Sequence, residues 1–333
     1  MTPLRTLLAR RHEHCRRRRL RRALNSRGRA PRTHGEPVAE NLRSSGACRA
    51  RPGQVERRLL HNYPVSRIIW LAKQAAGWLR DGRTVIDIGS DFRLRDPMLY
   101  ERWYGYAHPA PDLLREAVYG LTELTRDRVR TARLIANPGC YPTAALLALA
   151  PALKAGLVTE DIVVDAKSGV TGAGHSVEDA YLFGTIDESV RPYGVPKHRH
   201  TPEIAQEAAA LLGKTPRLTF TPHLIPMNRG LIASCYAPLR PGKSARDVAG
   251  AYAREYAEEP FVRVLDTYPA TKATLGSNWC LVHALVDEEN ARLVAFAALD
   301  NLVKGAAGSA LQNFNARFGY PETMGLEALP LWP

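Results

Sequence analysis

No apolar run in this chain reaches the roughly 20 residues that would span a bilayer, and no membrane association is expected. The positively charged N-terminus is not followed by an apolar core, so it does not read as a secretory signal. Cysteine is scarce and scattered. There are five, at positions 15, 48, 140, 235 and 280, and no Cys-x-x-Cys pair. An odd number at wide spacing argues against a disulfide framework and a structural zinc site, and for a reducing, cytoplasmic compartment. There is no internal repeat. Lysine is missing from the first 60 residues, which carry 17 Arg against 4 Glu. That surplus equals the net charge of +13 for all 333 residues, so the body of the chain is neutral.

The location of the charge bears on partners. An Arg-rich arm could bind nucleic acid electrostatically, but a neutral body gives it no basic surface to continue onto, and no nucleic-acid partner is expected. Residues 1–64 have few apolar residues and no sustained period of 2 or 3.6. They read as a disordered or non-native segment. Hydrophobic content of 45% and charged content of 24% are ordinary for a globular protein with a sizeable core.

Organised sequence begins near residue 65. VSRIIWLAKQAAGWLRDG reads as a strand or turn leading into a short helix that ends at Gly82. RTVIDIGSDFRL predicts a buried parallel strand with polar residues at its carboxyl end, where open α/β sheets bind ligands. RLIAN is a second short strand leading into NPGC. The alternation over 65–142 is that of an α/β domain. Beyond it, Thr143 to Ala155 predicts an apolar helix bent by Pro151. HRHTPEIAQEAAALLG predicts a helix with Thr201 as N-cap, Pro202 in the first turn and Gly213 past the end. RLTFTPHLIP, GLIASCYAPL, FVRVLD and CLVHALVDEENARLVAFAAL read as strands of a mixed, mainly antiparallel sheet, and NLVKGAAGSALQNFNARFG as a closing helix.

Four stretches carry candidate chemistry. In NPGCYP, residues 137–142, Cys140 follows Pro-Gly and precedes the apolar helix. A helix N-terminus favours a thiolate, and a strand-to-helix corner exposes a nucleophile. A small buried cysteine filling a turn is the other reading. YGVPKHRHTPEI gathers Tyr193, Lys197, His198, Arg199, His200 and Glu203 at a helix start. A thiol nucleophile needs a base or imidazolium partner, and the cations suit an anionic substrate. A solvated basic loop is the alternative, and two histidines without a third ligand nearby do not make a metal site. SGVTGAG, residues 168–174, is a small-residue loop whose backbone N–H groups could approach an anion. LDNLVKGAAG, residues 299–308, opens a helix and alone reads as close packing.

IANPGCYPTAALLALAPAL, AKSGVTGAGHS, YGVPKHRHTPEI, FTPHLIPMNRG and DNLVKGAAGSALQNFN occur in this order, preceded by VIDIGSDFRLRDPMLYERWYG. Together they resemble the N-acetyl-γ-glutamyl-phosphate reductases, over about residues 70–333. The resemblance implies an α/β plus α+β fold. An incomplete Rossmann-like dinucleotide-binding domain would span residues 65–140 and be completed by 305–333. A glyceraldehyde-phosphate-dehydrogenase-like catalytic and oligomerisation domain would span 141–304. It implies NADP(H) as cofactor, a small acyl phosphate as substrate, a homo-oligomer (dimer or tetramer), and arginine biosynthesis in the cytoplasm. Cys140 matches the family nucleophile. His200 is the first choice for acid/base and His198 the second. Backbone N–H groups near Cys140 would stabilise the oxyanion. Ser168 and Gly169, with Arg93, Arg199 and Glu203, would meet the substrate. Gly172, Gly174, Asn278 and Asn301 would meet the cofactor.

The family opens with a strand and a Gly-x-x-Gly-x-x-Gly turn that seats the NADP pyrophosphate at a helix N-terminus. The Arg-rich segment stands where that turn belongs, and it reads as translation in a shifted frame from a start downstream of the true one. Two alternatives follow: an inactive or cofactor-deficient homologue, and a related γ-acyl-phosphate reductase of lysine biosynthesis.

Overall fold

A computed structural model describes residues 65–174 and 179–331. The Arg-rich segment 1–64, with the expectations placed on it, lies outside them. Helix α1 (Val65–Arg80) ends at Gly82, which adopts a φ of 82°. Strand β1 (Val85–Asp87) follows, then the short helices α2 (Met98–Tyr104) and α3 (Pro111–Glu116), strand β2 (Val118–Tyr119), α4 (Thr122–Thr131) and β3 (Leu134–Ala136). The three strands form a parallel sheet in the order β1-β3-β2, with Ile86 opposite Ile135 and Val118 also opposite Ile135. Parallel strands need helical crossovers between them, which is why short helices alternate with short apolar strands here.

From the end of β3 the chain turns through Asn137-Pro138-Gly139 into α5 (Cys140–Lys154). The expected helix is present, but it starts at Cys140 rather than Thr143, which places the cysteine inside the first turn. Every residue of α5 from Tyr141 to Leu153 is buried, as expected of a helix apolar on all faces. Pro151 lacks the N–H that would bond the Leu147 carbonyl, and its ring crowds that turn. The Tyr256 and Tyr252 hydroxyls donate to the Leu147 and Ala148 carbonyls instead, so the proline leaves no buried acceptor stranded.

β4 (Asp161–Ser168), β5 (Arg191–Pro192), β6 (Arg217–Leu224), β7 (Leu231–Pro238), β8 (Val262–Val264), β9 (Cys280–Asp287) and β10 (Arg292–Leu299) form a seven-stranded mixed sheet, ordered β5-β6-β4-β7-β10-β9-β8. β4/β6 and β8/β9 are parallel and the other pairs antiparallel. Alternation of two sets its faces. Val164 lies opposite Cys235, Cys235 opposite Ala295 and Ala295 opposite Ala284. Val164, Cys235 and Ala295 are fully buried in one core with α5. That core includes residues of α7 (His200–Leu212) and α8 (Ala245–Glu255), which follow a one-turn helix α6 (Phe183–Ile186).

The closing segment is a π-type turn over Val303–Ala307 leading into α9 (Gly308–Phe318). Ala316 of α9 packs with Val118, Ile135 and Val129, so the C-terminal helix lies on the three-stranded sheet.

Candidate active site

The corner before α5 is held by buried polar groups. Asn137 is fully buried. Its side-chain amide donates to the Ala306 carbonyl at 3.1 Å, and its oxygen accepts from Asn313 of α9 at 3.1 Å. The Gly139 N–H donates to Glu203 Oε1 at 2.8 Å. The Thr143 hydroxyl and N–H both close on the Gly139 carbonyl at 2.9 Å. Gly139 has ordinary extended dihedrals, so its glycine is required by space rather than by backbone strain. A Cβ there would stand 2.4 Å from His200 Nε2 and 2.9 Å from an Arg93 guanidinium nitrogen. Gly305 is tight for the same reason: a Cβ on it would lie 2.8 Å from the Cβ of Cys140.

These contacts bring Cys140, His200, Arg93 and Glu203 to one place. Cys140 is partly exposed and unpaired. Burial pushes its thiol up to about 11, against the pull of the Tyr141 backbone N–H and Arg93. The sequence reading expected a lowered value from the helix N-terminus. With protein packed around the sulfur, loss of hydration outweighs the helix dipole. His200 opens α7, one residue before the expected Thr201, and Arg199 takes the N-cap position without a side-chain cap bond. The Thr201 hydroxyl is buried and unpartnered among the described residues, so Thr201 is not the cap. Burial, then His198 and the two arginines, holds His200 well below its usual value. The imidazole is therefore held neutral, not as an imidazolium.

His198 has a different setting. It packs edge-on among Tyr141, Tyr193 and Phe220 and lies 4.9 Å from the His200 ring. Its Nδ1 accepts the His200 backbone N–H at 3.1 Å, and burial lowers it to about 4. It supports His200 from behind. Arg199 is exposed and lies over the Tyr104 ring at 5.7 Å.

Ser168, Gly169, Gly172, Gly174 and Asn301 form a second corner at the end of β4. Here the expected anion cradle is corrected. The N–H groups of Gly169, Val170 and Thr171 donate to the carbonyls of Gly230, Met227 and Asn228, and those of Gly172 and Gly174 close the loop on itself. Asn301 ties the two loops together, accepting from the Gly230 N–H at 2.7 Å and donating to the Thr171 hydroxyl at 3.0 Å. Gly172 is tight as well: a Cβ there would come within 2.8 Å of the Ser168 hydroxyl and 3.8 Å of the Asn301 amide. Asn278 lies apart. Its amide donates to Gln312 at 3.1 Å, within the buried Lys304–Glu123 network.

Sequence reasoning missed Gly139, Asn137 and Gly305, although all three stand in quoted motifs. It also missed Tyr119, whose hydroxyl donates to Glu203 at 2.8 Å from a strand with no motif around it. Asp87 and Asp91, buried at the end of β1, were missed as well. Burial, with Asp87 beside it, pushes the Asp91 carboxyl up to about 9.

The domain family described as "Semialdehyde dehydrogenase, dimerisation domain" matches residues 140–301. Among solved structures, aspartate semialdehyde dehydrogenase II from Vibrio cholerae superposes with a TM-score of 0.56 at 18% identity, over 73% of this chain and 76% of that one. The Francisella tularensis enzyme gives 0.55 at 16%, over 73% and 78%. Fold and matched domain together define an oxidoreductase of the semialdehyde dehydrogenase class. An N-acetyl-gamma-glutamyl-phosphate reductase of Heliobacterium modesticaldum is 49% identical over 77% of this chain and 75% of its own length. That of Symbiobacterium thermophilum is 50% identical over the same shares. The chain belongs to the N-acetyl-γ-glutamyl-phosphate reductase family.

Proposed function

We propose that this chain reduces N-acetyl-γ-glutamyl phosphate to N-acetylglutamate 5-semialdehyde and phosphate through a thioester on Cys140, in arginine biosynthesis in the cytoplasm. The observation that carries the reading is a neutral, half-buried imidazole whose His200 Nε2 lies against the peptide that precedes Cys140 at the start of α5.

His200 takes the thiol proton as the sulfur attacks the acyl carbonyl. The carbon–oxygen bond to phosphate breaks, phosphate leaves with the electron pair, and the acyl group stays on sulfur. Deprotonation by a local base removes the need for a standing thiolate, which a value of about 11 would make rare at neutral pH. The N–H groups of Cys140 and Tyr141, in the first turn of α5, have no intrahelical acceptor. They are the proposed donors to the oxygen that becomes negative when the carbonyl turns tetrahedral. His200 then holds the proton and returns it as the aldehyde forms. Ser168, Gly169 and Arg199 are the proposed substrate contacts.

The cofactor in this reading is NADP(H), which rests on the chain's likeness to the N-acetyl-gamma-glutamyl-phosphate reductases. Gly172, Gly174 and Asn301, at the corner that ends β4, would meet it, and bound NADPH would supply hydride to the thioester carbon; Asn278, whose amide is engaged by Gln312, is not among these contacts.

Assembly fits the same reading. The outer face of the seven-stranded sheet carries Val163, Tyr236, Val294, Phe296 and Leu285, none of them fully buried. This is the face on which we place a second copy, in a dimer or tetramer.

The test is consumption of NADPH by the purified chain with N-acetyl-γ-glutamyl phosphate, and its loss in Cys140→Ser and His200→Gln. A serine variant of undiminished rate would overturn the nucleophile, and a folded chain that never consumes NADPH would overturn the reductase.

A further inference from the structure

Arg93 and Glu203 were expected from sequence to meet substrate, but their polar atoms are turned inward. The Arg93 Nε–H donates to the Asn137 carbonyl at 2.8 Å, and one terminal nitrogen donates to the Ile88 carbonyl at 3.0 Å. The other terminal nitrogen faces Glu203 Oε2 at 3.4 Å. Glu203 Oε1 accepts the Gly139 N–H and the Tyr119 hydroxyl, both at 2.8 Å. Every one of these partners donates to the carboxylate, which is the pattern of an ionised group. Arg93 is 8% exposed and Glu203 is fully buried.

We infer that Arg93 and Glu203 are a paired positioning device: together they grip the peptides on either side of Pro138 and set the charge felt by Cys140, without themselves binding substrate. This rests on the nucleophile reading above and deepens it. The guanidinium holds the carbonyl three residues before the cysteine. The carboxylate holds the N–H one residue before it. Because Glu203 lies one turn beyond His200 on α7, the same side chain also fixes the helix that carries the base. Gly139 leaves no room between imidazole and guanidinium, so the corner and the base move together or not at all.

The charges oppose each other at the sulfur: Arg93 favours the thiolate and Glu203 disfavours it. The other groups around Cys140 do not alter that balance. His200 is neutral, Tyr141 and Tyr193 are held protonated by burial, and Lys304, next to Gly305, is neutralised by Glu123.

Two substitutions separate grip from charge. Glu203→Gln keeps an oxygen for the Gly139 N–H and the Tyr119 hydroxyl but leaves Arg93 unopposed. Arg93→Lys keeps the positive charge but loses the fork that reaches Asn137 and Ile88. The readout is the pH dependence of iodoacetamide labelling at Cys140, followed by mass spectrometry of the tryptic peptide 134–154, alongside kcat and KM. For Glu203→Gln the labelling midpoint is expected to fall by about one pH unit or more, with kcat reduced and KM changed less than about twofold. For Arg93→Lys kcat is expected to fall about tenfold or more with KM retained and the midpoint moved by less than in Glu203→Gln. A rise in KM at unchanged kcat in either variant would make these residues substrate ligands and overturn the inference. An unmoved midpoint in a folded Glu203→Gln protein would do the same. If Glu203→Gln does not fold, Arg93→Lys decides alone. A wild-type protein in which Cys140 labels no faster than the buried Cys235 would overturn the nucleophile reading, and this inference with it.

Discussion

Gly139 shows how much of this site depends on a missing methyl. A Cβ at that position would overlap His200 Nε2, while the dihedrals would accept any L-residue. Gly139→Ala is therefore expected to fold and to lose activity by about 10²-fold or more, because displacement of the base by about 1 Å costs that much. Circular dichroism alongside the reductase assay checks it. Gly305→Ala is expected to act on Cys140 from the other side and also to lower activity, since its Cβ would crowd the Cys140 Cβ and backbone and the end of Leu299. The thiol itself sets a pH dependence. With its value pushed up to about 11, iodoacetamide labelling of Cys140 is expected to climb about tenfold per pH unit from pH 7.5 to 9.5 with no plateau. A plateau near pH 7 would mean a preformed thiolate. NPGC was legible as a corner from its sequence, and Cys140 stood out there as the candidate nucleophile. The direction of the thiol's shift was not, because the helix terminus that lowers it is local while the packing that raises it comes from α7 and the π-type turn.

At the scale of elements, periodicity served well where burial is one-sided. The strands of the seven-stranded sheet alternate as expected, and Cys235 and Cys280 fall on its inner face. It served less well at helix starts. The first turn of α5 contains Cys140-Tyr141-Pro142, which no propensity marks as helical, and α7 begins without a capping side chain. A tertiary hydrogen bond from Gly139 to Glu203 serves the first, and a bond from the His200 N–H to the His198 ring two residues back serves the second. The small-residue loop 168–174 misled for the same reason: its glycines serve close approach to the strand ends at 227–230, not an open cradle. The outer sheet face carries its own expectation. Phe296→Arg would put a charge at the centre of that face, stacked against His283, and is expected to shift the chain to monomer in sedimentation without unfolding it.

Across the whole molecule, the C-terminal segment is fastened by the buried pair Lys304–Glu123, which Gln312 of α9 bonds at both partners. Burial pushes the Glu123 carboxyl up, but Lys304 and the hydrogen bonds around it hold it below its ordinary value. Its contribution is thus present above the usual carboxylate range and is lost as pH falls through the lowered value. Lys304→Met leaves that carboxylate buried and alone, at a cost of about 3–5 kcal/mol. Protonation relieves part of this cost, so the difference in melting temperature between wild type and variant is expected to widen from pH 4 to pH 7. A gap that narrows over that range would contradict the account. The domain order was readable from alternating helix and strand. The pairing of residues 120 and 313, or 123 and 304, was not, since nothing local marks contacts so far apart along the chain.

The central claim is that Cys140 carries the acyl group. The most direct measurement is mass spectrometry of the full chain after incubation with N-acetyl-γ-glutamyl phosphate and no NADPH. The account predicts one N-acetylglutamyl group on the peptide 134–154, at Cys140, with one phosphate released per acyl group bound. Phosphate release with Cys140 unmodified, or an acyl group on another residue, would contradict it.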